Sequence, residues 1–550
     1  MAGPFSHRAF AVLWYATVAS NIGTWMHDVG AGWLMTELSP SPLLVASVQA
    51  ATTLPVFLFA LFAGATADLV DRRKLLLTIN VVLGAAAALF ALLVHLEAVN
   101  PLTLLGFTLI FGTGAAFIAP AWQAIVPSLV PRSELSSAVA LNSMGINVSR
   151  AIGPALAGFL IVAAGIAYPF AINALSFVGI IAALLWWKPP PRPDEGLLRE
   201  HLGGAIRAGL HYATFSPAFR TTLVRAICFF LFASCFWAML PLVARTVLAG
   251  GPSLYGILMG AVGAGAVVGA LLMPRLKKGL GANGMVTVGT LGMLVTLGVT
   301  AFSTVQALAV GASLIAGFAW IMVLSTLNVA AQSALPDWVR ARGLSVYLTV
   351  FFGSMSAGSL IWGQVASMTS IPIALMSAGA TGIVLLLIAV RAPLATGDGA
   401  TLAPSMHWPE PVLATETTPD GPVVIQVDYR VAPENHAAFR DRMRELAKSR
   451  RRGGGYRWEL LSDAAAPNRF LESWHEASWL DHQRHHRRVS VDDQRLQEQI
   501  RDLVMTDTQP AVQHWVRAAL TADASTRAAQ PKTSSLPIPA HPPTRQGERP

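Results

Sequence analysis

Charge is what this chain lacks. Only 13% of its 550 residues are Asp, Glu, Lys or Arg, where a soluble globular protein carries about 25%. The shortage excludes water as the solvent for most of the chain. Cysteine is nearly missing too: Cys228 and Cys235 lie in one apolar run, about two helical turns apart, and cannot bond to each other, which excludes a disulfide framework. No glycine-rich loop ending in Lys-Ser/Thr is present, so direct use of ATP through that motif is excluded. A cleavable leader is not expected, because the apolar run from Phe10 is too long for one and lacks a small-residue cleavage site. No cofactor is implied by any motif.

What is abundant is apolar length. The mean hydropathy is +0.52, and from Phe10 to Val390 long apolar runs follow one another. A helix crosses the hydrocarbon core with roughly 20 apolar residues. On that measure twelve spans are predicted, at 10–36, 43–67, 75–96, 102–127, 136–163, 168–187, 218–247, 254–274, 283–303, 306–332, 343–367 and 371–390. Lipid is therefore the first partner.

Basic residues concentrate in alternate loops: Arg72, Arg73 and Lys74, then Arg132, then Lys188 to Arg207, then Arg275, Lys277 and Lys278, then Arg340 and Arg342. The opposite loops offer only Arg245. Cytoplasmic loops retain Lys and Arg, so both termini are expected in the cytoplasm. The net charge of +9 has this topological origin, and a nucleic-acid partner is not expected because the charge does not gather on one face. In the longest loop, Leu198, Leu202, Ile206 and Leu210 recur every four residues, which predicts an amphipathic helix on the inner membrane face.

The two halves share a pattern. Gln123 and Gln332, Gly64 and Gly269, and Trp25 and Trp237 recur at offsets of about 205 to 212 residues, as expected for six helices duplicated in parallel.

Over the first 390 or so residues the chain resembles the major facilitator superfamily. Gly64-Ala-Thr-Ala-Asp68-Leu-Val-Asp71-Arg72-Arg73-Lys74 is similar to that family's cytoplasmic signature, with Leu69 and Asp71 as departures. The resemblance implies that Asp68 meets the positive N-terminus of span eleven and holds the inner gate shut. Gly145 and Arg150-Ala-Ile-Gly153-Pro154-Ala-Leu-Ala-Gly158 resemble the glycine-proline motif of exporters. The arginine often buried in span four is replaced by Thr108. Pro120 to Pro127, Asn142 to Gly158 and Asn328 to Arg342 resemble the branch holding enterobactin exporters and transmembrane secretion effectors. That branch implies efflux of a small molecule, siderophore or drug-like. With no ATP-binding motif the energy is expected from an ion gradient, the proton gradient in the first reading, and the location expected is a bacterial inner membrane. Import, and an enzyme or sensor merely anchored by the helices, are the other readings.

An ionisable group inside the bilayer costs several kcal/mol unless it faces a cavity or a partner. Arg150 lies deepest, near the middle of span five, with Ser143 and Asn147 on its face. It is either a cavity cation or an interhelical donor to backbone carbonyls. Asp28 is the sole carboxylate well inside a span, hence the candidate proton carrier, or else it sits in water at the outer mouth beside a solvated His27. Arg225 is expected to snorkel to the headgroups. Ser325, Asn328 and Gln332 share a face of span ten, and Trp25, Trp122, Gln123, Trp237 and Trp320 are candidates for stacking on an aromatic substrate or for packing.

The last 160 residues are polar. A linker is expected at 392–420, then a strand over Val423 to Val431, a helix over Glu434 to Ser449, strands at Tyr456 to Leu461 and Phe470 to His475, a helix from Ser478 and a strand at Ala511 to Val516. This β-α-β-β-α-β order, a ferredoxin-like α+β arrangement, resembles the dimeric α/β barrels of the antibiotic-biosynthesis monooxygenase type, which implies self-association. His482, His485 and His486 are interleaved with Arg484, Arg487 and Arg488, so a solvated basic face is expected there rather than a metal. The expected organisation is an all-α membrane part of two six-helix bundles, 1–187 and 217–391, joined by 188–216, then the linker 392–420, the α+β domain 421–518 and a disordered tail 519–550.

Overall fold

The computed structural model describes residues 3–188, 202–394, 402–409, 421–505 and 510–516, without the side chains of 65, 67–69 and 202–208. Its helices are α1 (Arg8–Leu38), α2 (Pro42–Leu69), α3 (Arg72–His95), α4 (Pro101–Ile125), α5 (Leu135–Ala164), α6 (Ala167–Trp186), α7 (Leu202–Phe215), α8 (Pro217–Leu242), α9 (Pro252–Phe302), α10 (Gln306–Ser333), α11 (Arg340–Met368) and α12 (Ile371–Val390). Proline opens α2, α4, α8 and α9, where its missing N–H goes unmissed, and Asn100 and Ser370 accept from the first-turn amides of α4 and α12.

Ten of these helices are long and apolar enough to cross a membrane. One of the ten, α9, holds 51 residues and breaks at Gly281, whose φ of 62° and ψ of 179° favour glycine, so it is two spans joined end to end. Helix α1, with 31 residues, falls outside the ten because Asn21, Thr24, His27 and Asp28 dilute its hydropathy. Counting α1 and dividing α9 gives the twelve spans read from the sequence.

The basic turns act as clamps on helix ends. Arg72 Nη1 donates to the carbonyl of Ala124 at 2.9 Å, and Arg73 donates to the carbonyls of Leu184 and Leu185 at 2.7 Å each, so both cations sit at the negative ends of α4 and α6. Asp71, where the family pattern has glycine, caps α3 by accepting from the amide of Lys74 at 2.9 Å. The side chain of Asp68 lies outside the described residues; nearby, a Cβ on Gly64 would stand 3.7 Å from Ser345 Oγ of α11. Arg225 corrects its expectation: it is 3% exposed and donates to the carbonyls of Ala392 and Ala389 at 2.8 and 2.9 Å, closing the end of α12 instead of reaching for headgroups.

The carboxy-terminal domain follows the expected order, except that two helices stand where one was expected from Ser478: β1 (Val423–Arg430), α13 (His436–Arg452), β2 (Tyr456–Ser462), β3 (Arg469–Glu476), α14 (Trp479–His486), α15 (Val491–Arg501) and β4 (Ala511–Val516). The antiparallel sheet runs β2-β3-β1-β4. Val423, Ile425, Val427 and Tyr429 alternate inward against Phe439, Met443 and Leu446 of α13. Beneath them Arg450 Nε donates to Glu472 Oε1 at 3.0 Å, and the same carboxylate accepts from Tyr429 Oη and Trp458 Nε1 at 2.9 Å each. Removing one partner of a buried pair strands the other charge, so Glu472→Ala is expected to destabilise this domain by about 3–5 kcal/mol, read as a lower temperature of its unfolding transition.

Helix α7 packs on α11 and α13. The guanidinium of Arg488 lies 4.3 Å from the ring centre of Trp338, in the turn between α10 and α11, and that of Arg451 lies 5.8 Å from Phe215. Beside this contact Asp493 accepts from Arg452, Ser449 and Ser490. Burial raises the pKa of Asp493, but Arg452 and the two hydroxyls outweigh it and hold the carboxyl below the usual range. A carboxyl lower in the folded than in the unfolded state stabilises fully above the unfolded value and loses that contribution as pH falls through the folded one. Thermal stability of the domain should therefore decline on acidification below the ordinary carboxylate range, and Asp493→Asn should flatten that decline.

Candidate transport cavity

Helix α2 packs along α11, and α5 packs along the first part of α9, and these two pairs make most of the contact between the bundles. The α5–α9 contact is backbone on backbone. A Cβ on Gly158 would lie 2.9 Å from the carbonyl oxygen of Pro252, one on Gly256 would lie 2.8 Å from that of Pro154, and one on Gly263 would lie 2.7 Å from Ala151 Cα. Gly153 serves the same purpose toward α1, where a Cβ would lie 2.6 Å from that of Trp25. Small residues permit this approach, and without a hydrophobic force between helices in lipid, close packing is what holds them. The Gly-Pro segment singled out from the sequence is thus a contact strip between the bundles.

The end opposite the basic turns is shut. Every residue of α1 from Val29 to Thr36 is buried, Arg245 Nη1 donates to Thr36 Oγ1 at 3.0 Å across the two bundles, and the amide of Leu43 donates to Ser367 Oγ at 3.0 Å. Toward the basic end Thr24, Ala119, Gln123 and Gln332 are exposed.

Just inside the shut end lies a cavity of about 270 Å³ lined by Trp25, Asp28, Arg150 and Trp237 among others. The guanidinium of Arg150 stands 5.3 Å from the ring centre of Trp25, and its Nε has no hydrogen-bond partner among the described residues. No hydrogen bond from Arg150 to a backbone carbonyl occurs among the described residues. A cation held over an aromatic face with unspent donors is available to an anionic group. Trp237 meets Trp320 edge to face at 5.1 Å, and the Trp237 indole N–H is likewise buried without a partner among the described residues.

Asp28 does not sit at an outer mouth. It lines the cavity below the buried Val29–Thr36 segment. Its neighbour His27 is not solvated either: at 4% exposure it packs against Phe90, Phe111 and Phe170, with ring centres 5.5, 4.4 and 5.0 Å away.

Asn147, Asn328 and Gln332 are not among the residues around the cavity. Asn147 Nδ2 donates to the carbonyl of Ser143 at 2.9 Å and Gln332 Nε2 to Asn328 Oδ1 at 2.7 Å, all within their own helices and nearer the basic end. Trp122 braces α4 on α5 through Asn142 Oδ1 at 3.0 Å. Conversely Gln49, Thr52, Tyr255, Phe351 and Met355 line the cavity without having been singled out. They belong to α2, α9 and α11 and are brought there by long-range packing that no local pattern announces.

Two bundles of six helices around a cavity shut at one end define a secondary transporter of the major facilitator fold. The backbone agrees with solved transporters: the nucleoside transporter NupG superposes with a TM-score of 0.58 over 70% of this chain and 99% of that one at 12% identity, and a POT family transporter with 0.57 over 70% and 96% at 14%. The profile of the transmembrane secretion effector family matches residues 1–522, and the chain belongs to that family. It is 24% identical to the staphyloferrin A transporter of Staphylococcus aureus over 62% of this chain and 85% of that protein. It is 26% identical to the enterobactin exporter EntS of Shigella boydii over 70% and 91%, and 23% identical to the multidrug efflux pump Tap of Mycolicibacterium fortuitum over 64% and 88%. The protein is thus a multi-pass membrane transporter, as its family and relatives are.

Proposed function

We propose that the protein exports a small amphipathic or anionic molecule, of siderophore or drug-like type, across a bacterial inner membrane in exchange for protons. The observation that carries this reading is a cavity that gathers one cation, one carboxylate and exposed aromatic faces: Arg150 and the Trp25 and Trp237 rings receive the substrate, and Asp28 carries the proton. Asn147, Asn328 and Gln332 line the approach from the cytoplasm. Both termini and the basic turns lie on the cytoplasmic side, where Gly64, Asp68, Arg72 and Arg73 gate the inner end, while Gly153 and Pro154 help close the outer one. The bundles rock about the cavity so that it opens to one side at a time. The relatives support the substrate class, since their names specify siderophores and drugs.

Inverted membrane vesicles provide the test. Acidifying their lumen should drive uptake of a catecholate or carboxylate siderophore or of an amphipathic antibiotic, and a protonophore should collapse it. Uptake that ignores the gradient would reject proton exchange, and accumulation in intact cells rather than in vesicles would reverse the direction.

A second reading concerns the carboxy-terminal domain, which encloses a cavity of about 890 Å³ beside α14 and α15. A cavity of that size favours a ligand-sensing role added to transport. Exposed Val512, Trp515 and Val516 on the outer strand β4 offer an apolar edge for self-association.

A further inference from the structure

Three imidazoles converge on the cavity of the carboxy-terminal domain. His482 and His486 lie four residues apart on α14 and so share a face. His514 of β4 pairs in register with Ile425 of β1, whose side chain points to the helix side of the sheet. One nitrogen of each ring lies within 4.8 Å of the other two.

The hydrogen-bond partners dictate which nitrogens carry hydrogen. His482 Nδ1 lies 3.0 Å from Glu476 Oε2, and His486 Nδ1 lies 2.9 Å from the carbonyl oxygen of Pro409. A carboxylate and a backbone carbonyl only accept, so both Nδ1 atoms donate, and in neutral rings both Nε2 atoms present bare lone pairs. Those two atoms face each other at 3.1 Å. His514 Nε2 is buried nearby with no hydrogen-bond partner among the described residues. Two lone pairs at that distance repel unless positive charge lies between them. A shared proton serves two nitrogens, whereas a metal ion serves all three.

The geometry suits the ion. A tetrahedral centre bonded to imidazoles at about 2.0–2.1 Å holds its nitrogens roughly 3.3 Å apart, close to the spacing of the facing pair, and the third ring needs to advance by up to about 1.5 Å. Glu476 is already placed to orient a ligand: it also accepts from His485 Nδ1 at 2.6 Å and Trp474 Nε1 at 2.9 Å, and such carboxylate–imidazole contacts fix the ring and raise its basicity. Two of the arginines that argued against a cation are spent elsewhere: Arg484 pairs with Asp481 at 3.2 Å and Arg488 stacks on Trp338. Arg450, which also lines the cavity, is neutralised by Glu472. His482 and His485, expected on a solvated face, are 1% and 3% exposed.

We propose that His482, His486 and His514 bind a divalent late first-row transition ion of the zinc class, with Glu476 and the Pro409 carbonyl orienting two of the rings. Three protein ligands leave one position open toward the cavity, where water or a donor atom of a small ligand completes the tetrahedron.

The test uses the untagged full-length protein in detergent, stripped with chelator and titrated with Zn²⁺ alone by calorimetry, and with Co²⁺ followed by visible absorption. One saturable equivalent per chain and the intense bands of tetrahedral Co²⁺ are expected. Glu476→Gln should weaken binding by about 10–100-fold, and His486→Gln and His514→Gln by more than that. No saturable binding by the wild type would overturn the proposal and leave the facing nitrogens sharing a proton; so would affinities in both histidine variants equal to that of the wild type. Were a variant to lose its fold, the wild-type stoichiometry and the Co²⁺ spectrum decide the matter alone.

Discussion

Replacing Arg150 by alanine is expected to abolish transport while leaving membrane insertion and folding intact. Insertion is governed by the apolar length of α5, which the substitution increases by removing the one charge buried within it. In the function proposed above, substrate binds to a donor-rich cation held against Trp25 inside the cavity. Losing one partner of a desolvated charge pair costs about 2–5 kcal/mol of binding, so flux at subsaturating substrate should fall by at least about 30-fold. Arg150→Lys keeps the charge but not the planar fork, and should retain part of the flux for a substrate that binds by charge alone. Vesicle uptake compared with the amount of protein in the membrane separates the two effects. Normal flux in Arg150→Ala would reject the cavity-cation role.

The second large effect is expected where nothing is charged. Gly158→Leu places a side chain where the carbonyl of Pro252 and the backbone of Gly256 already stand within about 3 Å, with helix backbone on both sides. Neither backbone can give way as a side-chain tip can. Overpacking of this kind costs about 1–3 kcal/mol, enough to shift a two-state equilibrium by roughly 5- to 150-fold against the shut form. Transport should therefore be lost. A cysteine introduced at Thr36, buried in the shut form, should become accessible to a membrane-impermeant thiol reagent. Unchanged reactivity there together with normal flux would show that the α5–α9 strip does not control closure.

How far the sequence could be read differs between backbone and site, for physical reasons. Hydropathy over about 20 residues is a local property, so the spans emerged directly, including the break near Gly281 that separates two spans of one long helix. The carboxy-terminal strands were legible because Val423 to Tyr429 alternates with the period of the pleat. Asp28 and Arg150 stood out because charge is rare in an apolar run. Their surroundings did not, since what lies across from them comes from α2, α9 and α11, hundreds of residues away. The same holds for Arg225: its distance from the membrane surface could be counted, but not the arrival of the α12 carbonyls beside it. The histidines of α14 were misjudged because the arginines between them read as one solvated face. The helix instead turns His482 and His485 toward Glu476, and only the sheet determines that.

One feature of the fold bears on how the molecule works as a machine. The small α/β unit holds on to the turn between α10 and α11 through Arg488 and to α7 through Arg451. It is thus joined to the carboxy-terminal bundle at that turn and to α7 through α13. In the rocking cycle proposed above it should swing with that bundle, so that its separation from the rim of the other bundle rises and falls. A dye pair on α15 and the α4–α5 turn would therefore report each stroke, whereas a pair on α15 and Trp338's turn would remain silent.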